Sequence, residues 1–134
     1  MTDSIPAAAR DLLEASTAVL ATVGPDGRPQ LSAVWFLAEE GVIKVSLNSS
    51  RQKVKNLRAN PAVTFFVFDP ERPSRYLEVR GDAAIAEDPE YGFADRVGPK
   101  YGADLRSFDG PGQSRVVVTV VPVRVNVVDV TAAR

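Results

Sequence analysis

The chain has 134 residues, 45% of them hydrophobic and 25% charged, with a net charge of −1. That fits one domain, 1–134, around one core, and gives bulk electrostatics no reason to select nucleic acid or a membrane surface. There is no Cys and no His, which excludes disulfides, thiolate nucleophiles, a Ser-His-Asp triad and His-ligated haem.

Ser4 ahead of Pro6 and the Ala-rich run 6–15 predicts a capped helix, with Leu12 and Leu13 turned to the core. Residues 17–23 read as a first strand. Gly24-Pro25-Asp26-Gly27 is a turn signal, and 30–37 is its hairpin partner, a single second strand. After Glu39-Glu40-Gly41, residues 42–47 form a third strand, with Ile43, Val45 and Leu47 on one face and Lys44 and Ser46 on the other. A short helix spans 52–59 and stops at Asn60-Pro61. Residues 62–68 are an apolar fourth strand, expected to be buried on both faces. Residues 75–85 are a long fifth strand, bent at Gly81. Asp88-Pro89 opens a helix that reaches Tyr101. Residues 106–113, rich in Gly and Pro, read as a loop. The Val-rich run 115–130, interrupted by Pro122, is the sixth strand. Six antiparallel strands joined by tight turns, with three short helices, predict a closed barrel and not an open sheet.

No apolar run is long enough to span a bilayer, and the first residues lack the basic and apolar regions of a secretory signal. The cytoplasm is the expected location. The carboxylates are scattered without ligand spacing, so no metal is expected. Without His, redox or transfer chemistry falls to a bound cofactor.

One stretch concentrates polar chemistry. Residues 46–57 run from a strand end into a helix, offering Ser46, Asn48, Ser49 and Ser50 and then Arg51, Lys53 and Lys55. A helix N-terminus adds unpaired N–H groups and positive potential, and the combination suits a phosphate. An N-capped surface helix with solvated cations fits the same residues equally well. On the second strand, Gln30, Ser32, Val34 and Phe36 share one face, and Leu31, Ala33, Trp35 and Leu37 the other. This is either ordinary edge-strand variation or a strand lying along a flat aromatic ligand. Trp35 is accordingly a core residue or a stacking surface. Because strands two and three form a hairpin, the ring strand and the phosphate stretch are expected to be neighbours. A flat ring with a phosphate tail describes a flavin-type cofactor. Arg75, Arg80, Arg96, Lys100 and Arg106 either line a groove for an acidic tail or are solvated.

The order and spacing of several pieces carry a resemblance: Leu20-Ala21-Thr22, Asp26-Gly27-Arg28-Pro29-Gln30, Val34-Trp35-Phe36, Arg51, Lys53, Asn56-Leu57-Arg58 and Asn60-Pro61. It continues through Asp69-Pro70, residues 75–81, Glu87-Asp88-Pro89 and Lys100-Tyr101. Together they resemble the pyridoxamine 5′-phosphate oxidase-like split β-barrel flavoproteins, and more closely the branch that uses the deazaflavin coenzyme F420. The resemblance covers residues 17–129.

It implies a mainly β, six-stranded antiparallel split β-barrel with a few short helices, and a homodimer with two equivalent cofactor sites at the interface. Arg51 and Lys53, with Ser46 and supported by Asn48 and Ser50, match phosphate-holding positions. Gln30, Ser32, Val34 and Trp35 match the strand beside the ring. Tyr76, Leu77, Glu78 and Val79 match a strand that reaches the other subunit's cofactor. The implied activity is hydride transfer from reduced F420 to a small conjugated, electron-poor acceptor. An FMN-binding split-barrel oxidoreductase and a non-catalytic F420-binding protein are the alternatives.

Overall fold

The computed structural model describes residues 4–130. Strands β1 (Ala18–Val23), β2 (Pro29–Val34), β3 (Leu37–Glu39), β4 (Val42–Asn48), β5 (Ala62–Asp69), β6 (Arg72–Glu87) and β7 (Arg115–Asp129) make one sheet. Two α-helices, α1 (Gln52–Ala59) and α2 (Gly92–Tyr101), and two 3₁₀ helices, Ala7–Glu14 and Leu105–Phe108, complete the described residues.

The sheet is mainly β and antiparallel as expected, but it has seven strands and not six. The expected second strand, 30–37, is interrupted at Trp35 and Phe36. Its first part pairs with β1, from Val34 opposite Ala18 to Pro29 opposite Val23. Its last part pairs with β4, Leu37 opposite Lys44. The hairpin expected between the second and third strands is therefore confined to β3 and β4. The break has a physical cause: Phe36 turns into the core, where it is fully buried and packs edge-on to Phe65 at 4.9 Å. Trp35 is left on the outside, 38% exposed.

The strand order is β2-β1-β5-β6-β7-β4-β3, so β2 and β3 are the two edges of the sheet. Only two residues separate them in sequence. The sheet must curl until its edges meet at Trp35–Phe36. β3 covers β4 only from Val42 to Lys44. Beyond it, the far half of β4 faces β2 across a gap, the split of the barrel.

Alternating burial organises the core. Leu20, Ile43, Val45, Phe65, Val67, Leu77, Val79, Val116 and Val118 point inward and are essentially inaccessible. β5 alternates too, and is not buried on both faces: Val63, Phe65 and Val67 are buried, while Phe68 is 41% exposed. Ser4 does not cap the first helix, which is 3₁₀ and starts after Pro6 with no side-chain cap; Leu12 and Leu13 do enter the core. The bend at Gly81 is a register shift between Arg80 and Gly81, opposite Pro122 and Arg124. A Cβ at Gly81 would lie 2.0 Å from the Val121 carbonyl oxygen, so only glycine allows the strands to cross this closely.

A second, smaller cluster lies outside the barrel. Phe93, Ala94 and Val97 of α2 pack with Leu105. Asp88 sets the start of α2, three residues later than expected, by accepting hydrogen bonds from the Phe93 and Ala94 amides at 3.2 and 3.0 Å.

Candidate functional site

The split opens into a cavity of about 490 Å³, within the common size range of small-molecule sites. Ala33, Val34 and Trp35 line one side, and Ser46, Leu47 and Asn48 the other; Ser50, Arg51 and Lys53 close one end, while Val97, Leu105 and Phe108 form an apolar end. Gln113 and Arg115 complete the wall.

The polar end is built by α1 and the strand before it. α1 has no side-chain cap at Arg51; the Val54 amide is bonded to the Arg51 carbonyl at 3.0 Å, which leaves the amides of Gln52 and Lys53 as the donors of the first turn. The helix is tied to the β1–β2 hairpin by a buried polar network. Asn56 Nδ2 donates to Thr22 Oγ1 at 3.1 Å and to Gln30 Oε1 at 2.9 Å, and Gln52 donates to Asn56 at 2.9 Å. Lys53 is 95% buried, yet neither it nor Arg51 has a hydrogen-bond or ion-pair partner for its side chain among the described residues. Burial, with repulsion from Arg51 second, holds the Lys53 ammonium below its ordinary pKa. Most of the Lys53 side chain is buried, and its ammonium borders the cavity without a counter-charge. Hydroxyl, cation and helix N-terminus form a donor set that fits a phosphate.

Arg115, in the wall itself, belongs to a buried ion pair. Arg115 Nε donates to Asp109 Oδ2 at 3.0 Å, with side-chain exposures of 7% and 2%. Asp109 also accepts from Asn48 Nδ2 at 2.9 Å and from the Tyr91 hydroxyl at 3.0 Å. Burial raises the Asp109 pKa, but the bonds from Asn48, Arg115 and Tyr91 outweigh it and leave the carboxyl below its ordinary value. Arg115 Nη1 donates to Ser46 Oγ at 3.2 Å. Arg115 is thus neutralised internally, whereas Arg51 and Lys53 are not.

The apolar end carries the one Trp. Trp35 stacks on Tyr101 with ring centroids 4.3 Å apart and planes at 6°, and meets Phe108 edge-on at 6.0 Å. A flat ring with a phosphate tail fits such a cavity, because the two ends offer the two chemistries it needs.

Of the residues picked out in the sequence, Val34, Trp35, Ser46, Asn48, Ser50, Arg51 and Lys53 meet in this cavity. They meet because the barrel curls, not because their strands form a hairpin. Gln30 and Ser32 share the inward face of β2 with Val34 but do not line the cavity; Gln30 is engaged by Asn56 and Thr22. Tyr76, Leu77, Glu78 and Val79 lie on β6, away from the cavity. Leu77 and Val79 are core residues, Tyr76 lies 5.2 Å from the Phe66 ring, and Glu78 accepts from Arg80 and Asn126. Among the other expected groove cations, Arg75 pairs with Asp11, Arg80 with Glu78, Arg96 with Glu39 and Arg106 with Asp95. Among the described residues, no three acidic side chains gather as a metal site would require. No described helix is long and apolar enough to cross a membrane.

Sequence reasoning missed Arg115, Phe108 and Gln113. Arg115 had a usable signal: it lies opposite Asn48 once the last strand is paired with β4. Phe108 was visible only as an aromatic in a Gly- and Pro-containing loop.

The family model described as pyridoxamine 5′-phosphate oxidase matches residues 5–129. A pyridoxine/pyridoxamine 5′-phosphate oxidase of Burkholderia multivorans is 38% identical over 102 residues, covering 72% of this chain and 47% of that protein. The chain thus spans about half the length of this curated relative. Among solved structures, an F420 reductase superposes with a TM-score of 0.78 at 38% identity, covering 91% of this chain and 98% of that one. A conserved hypothetical protein of Mycobacterium tuberculosis reaches 0.75 at 29% identity, covering 96% and 88%. The extent of the family match and the shared split-barrel architecture agree: the chain belongs to the pyridoxamine 5′-phosphate oxidase family.

Proposed function

We propose that the protein is an F420H2-dependent reductase that transfers a hydride from reduced deazaflavin to a small conjugated, electron-poor acceptor. The observation that carries this reading is the two-ended cavity: unpaired Arg51 and Lys53 at one end, an aromatic wall at the other. The 38% identity to an F420 reductase along nearly that protein's whole length supports the deazaflavin over other ring systems.

In this reading Arg51 and Lys53, with Ser46 and the first turn of α1, hold the phosphate, and Asn48 and Ser50, bonded to each other and through Asn48 to Asp109 and Gln113, support them. Val34 and Trp35 lie along the ring, and Gln30 and Ser32 hold the strand that carries them. Bound F420H2 supplies the hydride, and the chain supplies position and exclusion of water. A homodimer completes the site, with Tyr76 and Glu78 of β6 presented to the other copy's cofactor. Leu77 and Val79 then act through the backbone, since their side chains fill their own core. Exposed Phe68, Val121, Val123 and Val127 on β5 and β7 supply apolar surface for that contact. The cytoplasm is the location that fits this chemistry.

FMN is the second reading, favoured by the likeness to a pyridoxine/pyridoxamine 5′-phosphate oxidase and by a phosphate end that suits either cofactor. Titration with each cofactor, followed by Trp35 fluorescence, ranks the two. Binding of F420 in the micromolar range, followed by acceptor-dependent oxidation of F420H2, is the expected result. FMN binding without F420 binding overturns the first reading; F420 binding without turnover on any acceptor leaves a cofactor-binding protein.

A further inference from the structure

Tyr101 does not line the cavity, yet three of its contacts converge on the wall that does. Its ring lies flat on Trp35 at 4.3 Å. Its hydroxyl oxygen accepts from the Phe36 amide at 2.9 Å and donates to the Phe36 carbonyl at 3.1 Å. Lys100 Nζ donates to the same carbonyl at 2.9 Å and stands 3.8 Å from the Phe36 ring centroid. Trp35 and Phe36 belong to neither β2 nor β3. Side chains from the last turn of α2 thus provide the backbone of Phe36 with the bonds that a sheet partner would otherwise make.

We propose that Tyr101, assisted by Lys100, is the positioning residue for the aromatic wall: it fixes the plane of Trp35 and so selects flat rings in the cavity. The inference rests on the reading that this cavity takes a flat ring. Its physical basis is that a half-exposed Trp outside a strand has rotamer freedom, and a ligand that stacks on it must pay for ordering it. Tyr101 orders it in advance, by stacking on the ring and by pinning the next peptide.

Trp35 is the only Trp in the chain, so its emission and its quenching by acrylamide report this directly. Tyr101→Phe keeps the ring and removes both hydroxyl bonds; Tyr101→Leu removes the ring; Lys100→Met removes the charge. In ligand-free protein, Tyr101→Leu is expected to shift Trp35 emission and to increase its quenching, with Tyr101→Phe restoring most of the parent signal. Affinity for F420 or FMN falls about tenfold in Tyr101→Leu, the scale of one aromatic pairing, while inorganic phosphate binds as before. Unchanged emission and quenching in Tyr101→Leu overturn the proposal, as does equal loss of ring and phosphate binding. Should Tyr101→Leu not fold, Tyr101→Phe combined with Lys100→Met removes these side-chain bonds to Phe36 and is expected to raise Trp35 quenching above that of Tyr101→Phe; parent-level quenching in the double variant overturns the proposal. If the parent protein binds neither cofactor, the proposed function falls, and the ligand-free Trp35 signal still decides the role of Tyr101.

Discussion

The two ends of the cavity are built by opposite means. The polar end comes from one continuous stretch, Ser46 through Lys53, and leaves Arg51 and Lys53 unpaired among the described residues. The aromatic end is assembled from three separate segments, around Trp35, Tyr101 and Phe108, and the polar groups that brace it are bonded: the Tyr101 hydroxyl and Lys100 ammonium both serve Phe36. A charged end can be specified locally, because attraction acts on whatever anion arrives. A stacking wall needs an orientation, and orientation needs distant elements to agree.

The two ends are joined through Asp109, and removing that joint should have the largest effect. Asp109→Ala leaves Arg115 buried without its counter-charge and is expected to cost about 3–5 kcal/mol of stability, measured by urea denaturation. The acid limb of stability provides a companion measurement. The Asp109 pKa is lowered from its ordinary 3.8. Its contribution is therefore complete above that pH and disappears as pH falls below it, through the folded-state value.

Breaking the polar end alone comes next. Lys53→Ala is expected to weaken cofactor binding by about 1.5–3 kcal/mol, read by fluorescence titration. Because Lys53 is almost fully buried, truncation to Ala also removes packing, so stability is compared in Lys53→Met, which keeps the stem. Lys53→Met should bind the cofactor as weakly as Lys53→Ala and leave the free protein at least as stable as the parent. Equal losses of binding and stability in Lys53→Met would mean that Lys53 holds the fold and not the ligand.

At the aromatic end, Trp35→Leu should cost about 0.5–1.5 kcal/mol of ring-cofactor affinity and leave inorganic phosphate binding unchanged in calorimetry. A comparable loss for phosphate would erase the distinction between the ends.

The smallest effect is a pH dependence. The Lys53 pKa lies below its ordinary 10.5, and a bound anion raises it again. Affinity for a phosphate-bearing ligand should then decline as pH rises through the lowered value, before 10.5 is reached. Lys53→Arg should flatten that decline, because a guanidinium stays charged.

The same contrast explains what could be read in the sequence. Helix α1 was legible at both ends, because Asn60-Pro61 and the spacing of Val54 and Leu57 are local signals. The polar stretch before it was legible for the same reason. The strand break at Trp35–Phe36 was not: the apolar run 33–37 continues through it without a Gly or Pro. Only the core site for Phe36 and the side chains of Lys100 and Tyr101, more than 60 residues away in sequence, decide that the strand ends there. Arg115 escaped notice because its partners Asp109, Ser46 and Asn48 come together only through the pairing of β7 with β4. The side-chain commitment of Gln30 to Asn56 is equally non-local.

The link between the sheet edges has a mechanical consequence. Val34 and Leu37 are three virtual Cα–Cα bonds apart, so these two positions can never separate by more than about 11 Å, whatever happens to the packing. At the aromatic end the cleft has a covalent stop. It can widen only as a wedge, opening from the mouth beside α1 while its apex stays closed. Bulk on a guest is therefore tolerated toward the charged mouth and refused at the apex, a limit on guest shape set by chain length alone.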